Sequence, residues 1–259
     1  RRVYLHFESG TSAMYVWVNG QKVGYSQVTK NPAEFDITQY VRSGKNNVAV
    51  EVYRWSDGSY LEDQDFWRLS GIDRNVYLYS TEQVRINDFF AQAGLDKTYT
   101  NGTFNLEIDV KNFTTSIVSG QINVSVLDKQ GATVLSKKVS YKAAKDAVAK
   151  VNWSSTLKNP LKWTAETPNL YTLVLEHTDS KGKLIEATST KIGFRTVELK
   201  NSQLLVNGKP ILLKGVNLHE HHQYNGHYVD KATMLKDIEV MKQHNVNAVR
   251  TSHYPQSPL

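Results

Sequence analysis

KGVNLHEHH (214–222) and NAVRTSHYP (247–255) are the stretches that decide the fold of this 259-residue chain. In each of them an apolar run ends in a cluster of polar side chains. These are His219, Glu220, His221 and His222 in the first stretch, and Arg250, Ser252, His253 and Tyr254 in the second. Polar clusters at the ends of consecutive strands, with a helix between the strands, are typical of the way an α/β barrel builds its site.

The segment between the two stretches predicts that helix. Asp230 is a candidate N-cap, and apolar residues follow it at helical spacing. They are Met234, Leu235, Ile238 and Met241. With strands predicted over 211–217 and 246–251, the segment makes one βαβ unit. One such unit cannot close a barrel, so its sheet edge and apolar helix face either pack onto another part of the chain or drive self-association.

Residues 1–80 are predicted to be all β. Asn19-Gly20 lies between two apolar runs and is a strong hairpin signal, because both residues tolerate positive φ. A second strand pair is predicted around 44–47. About five or six strands can be recognised, fewer than the eight of a complete jelly roll. Because strand-like alternation begins at Val3, we expect a piece of a longer protein, whose signal peptide would not be visible here.

The loop 55–71 mixes acidic and aromatic side chains. The acids are Asp57, Glu62, Asp63 and Asp65, and the aromatic residues are Trp55, Tyr60, Phe66 and Trp67. Aromatic faces can cover the apolar carbons of a sugar ring, carboxylates accept hydrogen bonds from its hydroxyls, and clustered oxygens can hold a hard cation. The alternative is an ordinary surface loop with an aromatic anchor, and spacing alone does not decide between the two.

Residues 81–195 contain short alternating runs separated by turn signals. The runs lie at 104–110, 120–127, 134–141, 147–153 and 171–176. This spacing predicts an immunoglobulin-like β-sandwich, without the disulfide of antibody domains because the chain has no cysteine. Beyond it, Asn207-Gly208 predicts another hairpin.

Charge and hydropathy exclude several kinds of partner. The net charge of +6 is spread over the chain, with its excess in scattered lysines such as Lys137 and Lys142. A nucleic-acid surface needs a concentrated basic stripe, so we expect no nucleic-acid partner. No apolar run approaches the roughly 20 residues of a membrane span, so we expect no membrane partner either.

The histidines after the first strand invite a zinc hypothesis, which their spacing does not favour. A zinc protease needs two histidines four apart on a helix, whereas His219, His221 and His222 lie at offsets of two and three in a loop. The alternative is that these imidazoles exchange hydrogen bonds with a polar substrate. A buried Arg250 would need a carboxylate partner, on a neighbouring strand or outside this chain, and a structural ion pair is its alternative role.

Four motifs in one order carry a family resemblance. They are SDGSYLEDQDFWRLSGI (56–72), LKWTAETPNLYTLVLE (161–176) followed by IGFR (192–195), KGVNLHEHH (214–222) and NAVRTSHYP (247–255). With these motifs the chain resembles glycoside hydrolase family 2, in particular its large β-galactosidases. The resemblance implies a sugar-binding jelly roll, an immunoglobulin-like domain and a TIM barrel.

The resemblance also implies roles for individual residues. Asp65 resembles an aspartate that binds sodium and reaches the galactose, and His219 and His253 resemble histidines that contact galactosyl hydroxyls. Arg250 resembles an arginine that orients the active-site carboxylates. The family's two catalytic glutamates, and a complete magnesium site, are expected beyond residue 259. Glu220 lies in the wrong motif for either catalytic role.

The sequence therefore predicts a mainly β chain: a partial jelly roll over 1–80, a sandwich over 81–196 and the start of a (β/α)8 barrel over 197–259. Its predicted function is to contribute substrate-binding residues to a retaining β-galactosidase, while lacking both catalytic glutamates. The alternatives are a non-catalytic carbohydrate-binding module and a purely structural role. The expected ligand is a β-galactoside, and the parent enzyme is expected to be a homo-oligomer in the bacterial cytoplasm or periplasm.

Overall fold

A computed structural model describes residues 1–62, 65 and 67–259 of the chain. It divides the chain into two compact units. One contains residues 1–81 together with 213–259, and the other contains residues 82–212. In the described part of the chain, no helix is long and apolar enough to cross a membrane.

The first 81 residues form six strands and one helical turn. The elements are Arg2–Phe7 (β1), Ala13–Val18 (β2), Gln21–Ser26 (β3), Ala33–Asp36 (β4), Val48–Tyr53 (β5), Gly58–Leu61 (α1) and Val76–Thr81 (β6). The strands make two antiparallel three-stranded sheets, in the orders β4-β1-β6 and β3-β2-β5. Side chains of both sheets, such as Phe7 and Val16, form one buried core. This is the predicted partial jelly roll.

One predicted turn of this region is confirmed and one predicted strand pair is wrong. Asn19 and Gly20 take φ values of 51° and 81° and join β2 to β3. No strand precedes β5 at 44–47; β5 instead pairs with β2, placing Val48 opposite Val18. Because β4 pairs with β1 in the other sheet, the chain crosses from one layer to the other between β4 and β5.

The second unit contains the predicted sandwich. Its strands are Val84–Leu95 (β7), Gly102–Asn112 (β8), Val118–Leu127 (β9), Thr133–Ala143 (β10), Val148–Leu157 (β11), Tyr171–Asp179 (β12) and Leu184–Ile192 (β13). They form a four-stranded sheet, β10-β9-β12-β13, and a three-stranded sheet, β11-β8-β7. Seven strands in two antiparallel sheets of four and three match the immunoglobulin-like architecture.

Strict alternation builds the core of this sandwich. In β8, Phe104, Leu106, Ile108 and Val110 are buried, and the residues between them face outward. The same period of two recurs in β9 and β12, because successive side chains of a strand point to opposite faces. The inward faces of the two sheets meet in one cluster that also contains Phe194.

A small sheet closes the second unit. It consists of Val197–Lys200 (β14), Gln203–Val206 (β15) and Lys209–Pro210 (β16), in antiparallel order. Asn207 and Gly208, with φ values of 53° and 75°, make the tight turn between β15 and β16. The predicted hairpin at this position is therefore confirmed.

The last part of the chain is the predicted βαβ unit. Gly215–Leu218 (β17) and Ala248–Thr251 (β18) pair in parallel and are joined by the helix Lys231–Gln243 (α2). Asp230 caps α2, since its carboxylate accepts a hydrogen bond of 2.8 Å from the Thr233 N–H. Both strands are shorter than predicted, and residues 211–214 are not a strand.

Candidate functional site

The carboxyl ends of β17 and β18 bring two of the predicted site residues together. The parallel register places Leu218 beside Thr251, and the Ser252 N–H donates to the Leu218 carbonyl at 2.9 Å. Beyond these strand ends, the His219 and His253 rings have centroids 6.1 Å apart and planes at 77°. His219 is half-buried and His253 is exposed. The pair can therefore reach one ligand at the same time.

Arg250 lies on β18 itself, opposite Asn217. Its side chain is exposed, and no ion pair joins it to a carboxylate in the described part of the chain. An exposed guanidinium does not need the buried partner that the sequence argument considered. Its orienting role stays a prediction.

Glu220 forms a buried ion pair that the sequence did not predict. Its carboxylate accepts a hydrogen bond of 2.7 Å from Arg74 Nη2, and the two side chains are 6% and 5% exposed. The other carboxylate oxygen accepts from the Ser257 N–H. Arg74 Nη2 also donates to the Pro255 carbonyl at 2.7 Å. One guanidinium thus contacts the loop after β17 and the loop after β18.

A second buried cation lies next to this pair. Lys30 is 1% exposed and pairs with Asp73, and its carbonyl accepts a hydrogen bond of 3.0 Å from Arg74 Nη1. Its ammonium lies 5.4 Å from the centre of the Tyr254 ring. Tyr254 is buried, and this burial raises the pKa of its hydroxyl. Since isolated buried charges are costly, the pairing allows both cations to remain in this interior.

His227 connects the loop after β17 to the loop that follows β5. Its Nδ1 lies 2.8 Å from the Glu220 carbonyl oxygen, and its Nε2 lies 2.7 Å from the Trp67 carbonyl oxygen. A neutral imidazole carries one N–H, so hydrogen bonds to both carbonyls require protons on both ring nitrogens. Trp67 also packs on the ring of His221, with centroids 5.1 Å apart.

The imidazoles of the HEHH stretch have different neighbours. His219 faces His253, whereas His221 faces Trp67. The Nδ1 atom of His222 accepts from the N–H groups of Tyr224 and Asn225, at 3.2 and 3.3 Å. Within the residues that the structure describes, no three His, Asp or Glu side chains form a group that could hold a metal ion.

The acidic and aromatic loop is only in part a set of available sugar contacts. Asp57 caps α1 through the Gly58 N–H at 3.1 Å, and Glu62 accepts from the Thr29 N–H at 3.2 Å. These two carboxylates therefore serve the local backbone. Asp63 and Phe66 lie outside the described residues. The remaining members are exposed: Trp55, Tyr60, Asp65 and Trp67.

The fit of the expected cations follows from these contacts. Asp65 offers one exposed carboxylate, and a sodium site needs several oxygens around the ion. The described residues do not supply such a set. The sodium ion at Asp65 and the magnesium of the parent enzyme therefore remain expectations from the resemblance.

Comparisons with known proteins agree with the domain order seen in the fold. A model described as "Glycosyl hydrolases family 2, sugar binding domain" matches residues 1–82. A model described as "Glycosyl hydrolases family 2" matches 84–195, and the TIM barrel domain of the same family matches 197–259.

The curated relatives are much longer than this chain. A β-galactosidase of Priestia megaterium is 48% identical over 259 residues, and one of Pseudoalteromonas haloplanktis is 45% identical over 266 residues. These alignments cover 99% and 100% of this chain but 25% of each relative. The chain therefore spans about a quarter of the length of these relatives.

Solved structures confirm the fold over the whole chain. A β-glucuronidase of Bacteroides uniformis superposes with a TM-score of 0.90 at 20% identity, over 99% of this chain and 32% of that one. At such identity the likeness concerns the fold alone. The three family models, however, follow one another from one end of the sequence to the other. The chain belongs to glycosyl hydrolase family 2.

Proposed function

We propose that this chain is the part of a retaining β-galactosidase that contributes galactose-binding residues and depends on acids supplied elsewhere for catalysis. The observation that carries the proposal is the pair of imidazoles at the ends of β17 and β18, His219 and His253, 6.1 Å apart. The identity of 48% to a β-galactosidase supports galactose as the sugar. In this proposal Arg250 orients the carboxylates, and Asp65 reaches the sugar from its own loop.

The chemistry explains why further acids are needed. Retaining hydrolysis uses two carboxyl groups about 5 Å apart, one as nucleophile and one as acid and base. Glu220 is the carboxylate nearest in sequence to the two histidines, but Arg74 and the Ser257 N–H occupy its two oxygens inside the protein. A carboxylate sealed in this way can neither attack an anomeric carbon nor transfer a proton to a leaving group. Glu220 is therefore a structural acid in this proposal.

The histidines have the chemistry for sugar hydroxyls. An imidazole donates from one nitrogen and accepts at the other, which suits hydroxyl groups that do both. His253 is exposed and His219 is half-buried, so a ligand can reach both rings. Contacts of this kind bind and orient the galactosyl ring, and they supply no proton transfer in the proposed role.

Two measurements on the 259-residue chain test the proposal. With a chromogenic β-galactoside we expect no turnover, and turnover that His253→Ala abolishes would show that the chain holds its own catalytic acids. By calorimetry with isopropyl β-thiogalactoside we expect weak binding that His253→Ala and His219→Ala remove. Binding that survives both substitutions would contradict the assigned contacts.

One observation supports the alternative of a non-catalytic carbohydrate-binding module. Trp67 is 54% exposed beside His221, so its indole face is available for a sugar ring. In that case Trp67→Ala removes galactoside binding and His253→Ala leaves it unchanged. The opposite pattern supports the enzyme site at the strand ends.

A further inference from the structure

We propose that Glu220 and Tyr254 are positioning residues that set the separation between the His219 and His253 rings. This inference deepens the proposed function and rests on it, since it concerns the same pair of histidines. Neither residue is proposed to touch the sugar. Each acts through the histidine that precedes it in the chain.

The first argument is a direct hydrogen bond between the two loops. The Glu220 N–H donates to the Tyr254 hydroxyl oxygen at 2.9 Å, and both residues are buried. Glu220 follows His219 in the chain and Tyr254 follows His253. The bond therefore joins the loops one residue away from each ring, where a small change in loop spacing moves the histidines relative to each other.

The second argument is a rigid fastening at a neighbouring point. Arg74 Nη2 contacts both the Glu220 carboxylate and the Pro255 carbonyl at 2.7 Å. A guanidinium is planar and presents its donors in a fixed fork, so it holds two acceptors in a defined relation. The two loops are thus fastened by a hydroxyl and by a guanidinium, on groups that follow the two histidines.

The third argument concerns precision. Contacts between a protein and the reacting part of a ligand lose about 100-fold in effect when they are misplaced by about 1 Å. β17 and β18 pair over only four positions, and the histidines lie beyond the last of them. Strand pairing alone therefore stops short of the rings, and the buried Glu220–Tyr254 contact continues the connection.

Tyr254→Phe is the mildest test of this role. The substitution keeps the aromatic ring, which packs 6.0 Å from His219, and removes the acceptor of the Glu220 N–H. Glu220→Gln is the second variant, because it keeps the volume and removes the charge that pairs with Arg74. Tyr224→Phe is the matched control, since Tyr224 is 83% exposed and lies in the loop that follows β17.

The test needs one readout without sugar and one with it. The first is the nuclear Overhauser effect between ring protons of His219 and His253 in the free, isotope-labelled 259-residue chain. The second is the affinity for isopropyl β-thiogalactoside by calorimetry, at a temperature where each variant is fully folded. We expect both Tyr254→Phe and Glu220→Gln to weaken the ring-to-ring signal and to lower the affinity about tenfold, the effect of losing one well-placed interaction. Tyr224→Phe should change neither.

The outcomes separate this inference from the proposed function. A ring-to-ring signal that is lost in the two variants, in a chain that binds no galactoside, supports the positioning role and contradicts the proposed function. An unchanged signal in folded Tyr254→Phe and Glu220→Gln overturns the positioning role, whatever the sugar affinity. Equal losses in Tyr224→Phe also overturn it, because the loop would then respond to any substitution.

Discussion

The sandwich of residues 82–212 and the βαβ segment of residues 213–259 keep their apolar side chains in different places. In the sandwich, Phe104 and Phe194 are fully buried between two sheets. In the βαβ segment, α2 has no buried residue, and Leu235 and Ile238 are 51% and 54% exposed. The sandwich thus has two layers that cover each other, whereas the helix of the βαβ segment has no second layer over it in the described residues.

The difference shows that the two regions are held by different forces. Apolar burial between sheets stabilises the sandwich, in proportion to the area removed from water. The βαβ segment is instead connected to the first 81 residues by polar groups. These are the Arg74–Glu220 ion pair, the Lys30 contact with Tyr254, and the His227 contact with the Trp67 carbonyl. Such contacts are directional, so they position loops more than they stabilise a fold.

The largest expected effect is in the sandwich core. Phe104→Ala removes a ring that packs edge-on against Trp153 at 5.3 Å, and we expect a loss of about 3–5 kcal/mol in the free energy of unfolding. Ile238→Ala, on the exposed face of α2, should cost less than about 0.5 kcal/mol. Urea unfolding of the chain, followed by tryptophan fluorescence, measures both. Similar losses would mean that α2 is packed against something in solution.

A somewhat smaller effect is expected from the buried charges of the other unit. Lys30→Met keeps the length of a side chain that is 1% exposed and leaves Asp73 without its cation. We expect a loss of about 3 kcal/mol, since removing one partner leaves an uncompensated buried charge.

Lys236→Met is the matched control for this prediction. The Lys236–Glu239 pair is 3.9 Å long and more than half exposed on both sides, so its loss should cost less than about 1 kcal/mol. Thermal unfolding compares the two variants. Equal shifts of the midpoint would contradict a structural role for the buried lysine.

Local patterns predicted most elements of both regions, and they failed where a distant partner decides. The turn at Asn19-Gly20 and the cap at Asp230 depend on neighbouring residues alone, and both were predicted. The wrong strand pair at 44–47 concerns β5, whose partner is β2, about 35 residues earlier in register at Val18 and earlier still along the strand. Alternation shows that β5 is a strand, but the two-sheet packing decides where it pairs.

The candidate site follows the same rule. The proximity of His219 and His253 was predictable, because parallel strands place their carboxyl ends at one edge. Arg74 was not, since its partner Glu220 lies 146 residues away and no local periodicity marks a long-range ion pair. The two oxygens that Asp57 and Glu62 give to local N–H groups also escape a reading of composition, which counts acids without their acceptors' partners.

The smallest expected effect concerns the cap of α2, where the lack of a packed face makes local interactions count most. A short helix without tertiary packing is marginal, so its first turn should depend on Asp230. The Thr233 N–H bond to its carboxylate lowers the pKa of Asp230. A depressed pKa in the folded state means that the stabilisation is present above the ordinary aspartate value of about 3.9 and is lost as the pH falls through the lower folded value. Asp230→Ala should therefore lower the amide-exchange protection of the first turn roughly fivefold at neutral pH and have no effect once the carboxylate is protonated. Asp230→Asn, which caps without a charge, should keep its protection at both pH values; if it behaves like the alanine variant at neutral pH, the charge rather than the hydrogen bond holds the helix start.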